Sequence, residues 1–131
     1  MRVALGRESQ SAAKSLWREL ALPVCACRLP LGIGAVDIGV ACLNPVQPEV
    51  LEHGRLYREF GQHLSFYGGI SAQAVMPSGT PAQVQAVTAA CVRDLAPDAT
   101  GLVLGPSHRR QSDIPPENVD AMLQAFRRDA L

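Results

Sequence analysis

Apolar residues in this chain come in short unbroken runs, separated by longer stretches in which they recur at helical spacing. The runs at 22–27, 40–46, 64–70 and 102–104 are strand-length and do not alternate with polar residues. A continuous apolar strand is one buried on both faces, as in a parallel sheet covered by helices. Between the runs lie helix patterns. Leu16, Trp17 and Leu20 share one face of a helix over 12–20. Leu56 and Phe60 stack four apart in a helix over 49–60, with Gly61 where a C-cap belongs. Val84, Val87, Cys91 and Leu95 repeat at helical spacing after Thr80-Pro81-Ala82-Gln83. That start has a capping hydroxyl, a proline at the first helical position and a glutamine to close the box. A final helix starts near Pro116, with Val119, Met122, Leu123 and Phe126 as its buried face. The segment 31–39 is ambiguous, because Gly32 and Gly34 oppose a helix where the length suits a short one.

The predicted order is a first helix followed by four βα units. Such an order fits a small doubly wound sheet or half of an eight-fold barrel. Gly32-Ile33-Gly34 lacks the third glycine and the tight placement of a dinucleotide-binding turn.

Composition narrows the picture. With 131 residues the chain is one domain at most, and 47% apolar content marks it as globular rather than disordered. Twelve basic residues balance twelve acidic ones, which gives no support for nucleic-acid or membrane binding. No run approaches the ~20 apolar residues of a spanning helix, and the N-terminus lacks a signal-peptide core, so the expected compartment is the cytoplasm. There the four cysteines, Cys25, Cys27, Cys42 and Cys91, are expected to be reduced. Cys42 and Cys91 sit in apolar patterns as small core residues.

The candidate chemistry gathers where strands end. His108 follows the run 102–104 and a Gly-Pro turn. A histidine at the C-terminal mouth of a strand can donate a hydrogen bond to a substrate carboxylate or pass a proton. Arg109 and Arg110 come next, as guanidinium forks for carboxylates or as ordinary surface arginines. Asn44 and Gln47 flank Pro45, either to bind a ligand or to tie down the loop. Tyr67, Gly68 and Gly69 end the next strand on the same rim, where the paired glycines suit a close approach to the backbone. His53 and His63 are read as lying on the opposite, stability face, with no role.

One set of segments runs in order and at matching spacing: Leu43-Asn-Pro-Val-Gln47, Leu56 with Glu59-Phe-Gly61, Phe66-Tyr-Gly-Gly-Ile70, Pro77-Ser-Gly-Thr-Pro81, Gly105-Pro-Ser-His108 and Asp113-Ile-Pro-Pro-Glu-Asn-Val119. Over about eighty residues from Val40 onward, the series resembles the C-terminal part of the uroporphyrinogen decarboxylase family. The resemblance implies an α/β fold, the C-terminal half of a (β/α)8 TIM-type barrel with about four parallel βα units. Residues 21–131 would form that half, and 1–20 match nothing. It implies carboxy-lyase chemistry on a porphyrinogen in tetrapyrrole synthesis, with no cofactor. In that chemistry an aspartate holds the pyrrole N–H groups and the carbon left by loss of CO₂ is protonated. His108 matches the family's late active-site histidine, five residues before the matching Asp113. The substrate-gripping aspartate, tyrosine and arginines belong to the N-terminal half and have no counterpart here, which implies a fragment inactive alone.

Two alternatives accompany that reading. One is the methyltransferase-like branch of the family, which uses cobalamin-type or thiol cofactors and holds zinc through a His-x-Cys pair and a later cysteine. Cys25 falls on the cysteine of the pair, but Pro23 stands at the histidine and Ser107 or His108 at the later ligand. No metal site is therefore assigned. The other is a half-barrel that works only with a partner half or a second copy, since four βα units leave two sheet edges open. A remnant without activity of its own is a further possibility.

Overall fold

The structure, a computed structural model, describes residues 40–108 and 113–130. Within them the chain runs β1 (Cys42–Val46), α1 (His53–Phe60), β2 (Ser65–Ile70), α2 (Val75–Ser78), α3 (Pro81–Leu95), β3 (Leu102–Pro106) and α4 (Pro116–Asp129). The strands form one sheet in the order β1-β2-β3, and both pairings are parallel. The carboxyl ends of all three strands therefore lie along a single edge. Strand order never reverses among the described residues, so this sheet has no switch point of the kind that opens a crevice in doubly wound folds. The expected helix over 12–20 and strand over 22–27 lie outside the described residues.

Local chemistry sets the element ends. Thr80 Oγ1 accepts from the Gln83 backbone N–H at 3.3 Å, and Gln83 Oε1 accepts from the Thr80 N–H at 2.8 Å. Two backbone donors that α3 cannot satisfy internally are thus paired, with Pro81 following in the first turn as expected. The helix read over 49–60 begins at His53 instead, because Glu52 is extended (φ −70°, ψ 121°) and the chain before it turns back on Gln47. Gly61 caps α1 in the right-handed region (φ −62°). Its lack of a Cβ matters for space, since a Cβ there would stand 2.6 Å from Tyr57 Cδ2. Pro45 lies within β1 rather than in a loop after it, at the register shift between Leu43 and Val46 where the ladder needs no N–H.

The core joins sheet and helices in one cluster: Val46, Phe66 and Ile70 meet Leu56 and Phe60 of α1 and Val84, Cys91 and Leu95 of α3. Of the expected buried faces, Val87 and Leu123 are exposed, and Val119 and Phe126 are only half-buried. Val87 is 36% exposed, because the buried stripe of α3 runs through Val84, Thr88, Cys91, Val92 and Leu95. Leu123 is 43% exposed, because α4 turns Asn118, Ala121, Met122 and Ala125 inward. The two alanines let α4 lie close against α3, its main neighbour. Asn118 is fully buried and spends both amide hydrogens, donating to the carbonyls of Met76 (2.9 Å) and Gly79 (2.8 Å). It ties the first turn of α4 to the junction between α2 and α3.

No helix among the described residues is long and apolar enough to cross a membrane.

Candidate functional site at the carboxyl edge of the sheet

The site is built around a missing side chain. Gly68 has φ +112°, and a Cβ on it would stand 3.1 Å from both the N and O of Val46 and 3.6 Å from Ser107 Cα. Without that Cβ the end of β1 can close in on β2, while the end of β3 lies at ordinary contact distance on the other side. The residues that follow, Gln47 and His108, then meet over the end of the intervening strand. Their Nε2 atoms lie 2.6 Å apart, part-buried, between positions 61 apart in sequence.

A second set of contacts ties the three strand ends together. The Ser107 N–H continues the sheet by donating to Ile70 O at 2.8 Å. Its side chain is buried, and Oγ accepts from the Ala72 N–H at 3.4 Å. Ser71 Oγ accepts from the Ala74 N–H at 3.0 Å and donates to the carboxylate of Glu49. Gln47, Glu49, Ser71, Ser107 and His108 therefore form one polar rim, contributed by the loops after all three strands. Pattern reading passed over Glu49 and Ser71. Their positions held the only clue, since each closely follows an apolar run whose carboxyl end faces the rim.

Of the residues singled out by sequence, Gln47 and His108 are brought together. Asn44 is half-buried inside β1, at a cis peptide to Pro45, and Tyr67 is 37% exposed inside β2. Both stand within their strands, short of the rim loops. Gly69 (φ +88°) turns its open side to α3, where a Cβ would lie 2.5 Å from Cys91 Sγ and 3.4 Å from Leu95 Cδ1. It seats the helix on the sheet, whereas Gly68 lets the rim close. Arg109 and Arg110 lie outside the described residues, as do Pro23, Cys25 and Cys27.

His53 corrects the sequence reading. It is the first residue of α1, so it lies toward the carboxyl edge rather than on the opposite face, with Cε1 3.9 Å from the Cβ position of Gly69. A helix that follows a strand in a βα unit starts near that strand's carboxyl end, so a histidine in its first turn cannot sit on the far side. His53 Nε2 is buried and has no hydrogen-bond partner among the described residues. Burial lowers the imidazole pKa, against the opposing pull of Asp94, Glu52 and Glu49. His63 is exposed in the turn after α1, before β2 begins.

The two described cysteines are free and buried. Burial pushes the Cys42 thiol up to about 11. Burial, and then the charge of Asp94, push the Cys91 thiol up to about 12. Burial thus holds both thiols away from the thiolate form that nucleophilic chemistry uses near neutral pH. Among the described residues, no three His, Cys, Asp or Glu side chains group as a metal site. In comparisons with models of known protein families and with curated proteins, the chain matches none.

Proposed function

We propose that this chain is the C-terminal half of a uroporphyrinogen-decarboxylase-like (β/α)8 barrel, acting on a porphyrinogen or related carboxylated ligand together with a complementary half. One observation carries the reading: Gln47 and His108, from the ends of β1 and β3, meet across the carboxyl edge of a sequentially ordered parallel sheet. Barrel enzymes keep their chemistry at that edge, in the loops after the strands. A closed barrel takes ~250 residues, and residues 21–131 would contribute one wall of its cleft.

In the proposed reaction the bond between a side-chain carbon and its carboxylate breaks, CO₂ leaves, and the carbon takes up a proton. His108 is suited to donate a hydrogen bond to the departing carboxylate or to relay that proton. Arg109 and Arg110, next in the chain, would hold the carboxylates that do not react. The carboxylate that grips the pyrrole N–H groups would come from the complementary half.

The test is binding of uroporphyrin, the oxidised and fluorescent form of the substrate, by the full chain, with native mass recorded alongside. Saturable quenching, by the chain alone or with its complementary half, is the expected result. Absence of binding in both preparations would sink the reading. Zinc retained through Cys25 without tetrapyrrole binding would favour the methyltransferase-like branch instead.

A further inference from the structure

We infer that Gln47 is a positioning residue that decides which nitrogen of His108 carries the proton, so that the ring offers Nδ1–H to a ligand. The inference rests on the reading of this rim as a site for a carboxylated ligand. It concerns how the rim recognises that ligand.

Gln47 Nε2 lies 2.6 Å from His108 Nε2. An amide nitrogen carries hydrogens and no usable lone pair, so it donates. With the nitrogen side of the amide toward the ring, the ring nitrogen facing it accepts and so bears no proton, whereas the oxygen side would call for Nε2–H. A neutral imidazole has a single N–H, which is then on Nδ1. Histidine free in water favours the opposite tautomer, with the proton on Nε2, so the Gln47 contact works against the ring's own preference. With Nε2 engaged, the ring's remaining polar atom is a donor. The group it suits is an acceptor, and a carboxylate oxygen accepts most strongly.

The contact is held in place on both sides. Ser107, directly before His108, is fixed through its N–H to Ile70 O and through Oγ from the Ala72 N–H. The Gln47 carbonyl accepts from the N–H groups of Val50 and Leu51 at 3.2 and 2.9 Å, which anchors its backbone. Gly68 allows the close approach of β1 on the Gln47 side.

The experiment is a long-range ¹H–¹⁵N correlation spectrum of the histidine rings of the full chain, at a pH high enough to keep the rings neutral. The chain has three histidines, and loss of one pattern in His108→Asn assigns the ring of interest. The expected pattern is Nδ1 protonated and Nε2 bare. In Gln47→Glu the facing group becomes a carboxylate, which only accepts, so the proton should move to Nε2. Gln47→Leu removes the donor and should shift the ring toward its ordinary Nε2–H form. Should the leucine variant not fold, the near-isosteric glutamate variant still decides the matter. An Nε2–H or mixed pattern in the parent chain, or an unchanged ring in Gln47→Glu, would overturn the inference. No ligand is added, so failure here is separate from failure to bind uroporphyrin.

Discussion

The Cβ that Gly68 lacks would stand 3.1 Å from the backbone N and O of Val46. This close approach of β1 to β2 lets Gln47, at the end of β1, come within reach of His108. Gly68→Ala forces a side chain into that gap and onto a backbone at φ +112°, which L residues rarely adopt. The expected loss is about 1–3 kcal/mol of stability, measured by urea denaturation. The His108 ring pattern should also lose its dependence on residue 47. An alanine variant of parental stability with an intact His108 pattern would show that the strand ends do not need this gap.

Gly69 makes a different prediction. Its absent Cβ would overlap Cys91 Sγ at 2.5 Å, so Gly69→Ala should cost about 1–3 kcal/mol through overpacking. Cys91→Ala removes the obstructing sulfur. In the double variant part of the loss should return, while the strain of φ +88° remains. A double-mutant cycle reads this directly, and strict additivity would refute the contact.

Asn118→Ala should rank among the most damaging substitutions in α4, although the position is polar. It leaves the carbonyls of Met76 and Gly79 without their donor in a buried place. The expected cost is about 1–3 kcal/mol for each acceptor left bare, and less if water enters. Leu123→Ala, on the exposed side of the same helix, should cost little by comparison in the same denaturation series.

His53 predicts a pH dependence with a definite sign. Burial holds its imidazole pKa below the unfolded value of about 6.5. In the window between the folded and unfolded values, the unfolded chain binds a proton that the folded chain resists. The contribution of neutral His53 is therefore fully present above the unfolded pKa and is lost as pH falls through that window. Asp94, Glu52 and Glu49 moderate the loss. Thermal melts across mildly acidic pH should show a steeper decline for the parent chain than for His53→Leu; parallel curves would exclude the residue as the source.

On the proposed function, Arg109→Ala with Arg110→Ala should weaken uroporphyrin binding, while His108→Ala should reduce turnover, in a completed barrel, more than affinity. Fluorescence titration and carboxy-lyase assays separate the two. Unchanged affinity in the double arginine variant would end the carboxylate-clamp role.

Much of the fold was legible because it depends on local rules. The apolar runs at 40–46, 64–70 and 102–104 do hold the parallel strands, although the sheet is not covered on both faces as expected: Tyr67 is exposed and β3 alternates between buried and half-buried positions. The capping box at Thr80 and Gln83 and the stacked Leu56 and Phe60 follow from spacing alone. The burial of Asn118 and the exposure of Leu123 were not legible, because the direction α4 faces depends on which side of α3 it meets. The site divides in the same way. His108 and Gln47 were candidates from their places after apolar runs, but nothing in 61 positions of separation says that they touch. Glu49 and Ser71 carried no signal beyond their places after apolar runs, and His53 was placed on the wrong side. By itself the sequence determined, among the described residues, the three strands, the longer helices with the capping box of α3, and the chemistry available at each strand end. Only the tertiary structure decided which of those ends meet, because that depends on the register of three strands and on the space left by one glycine between them.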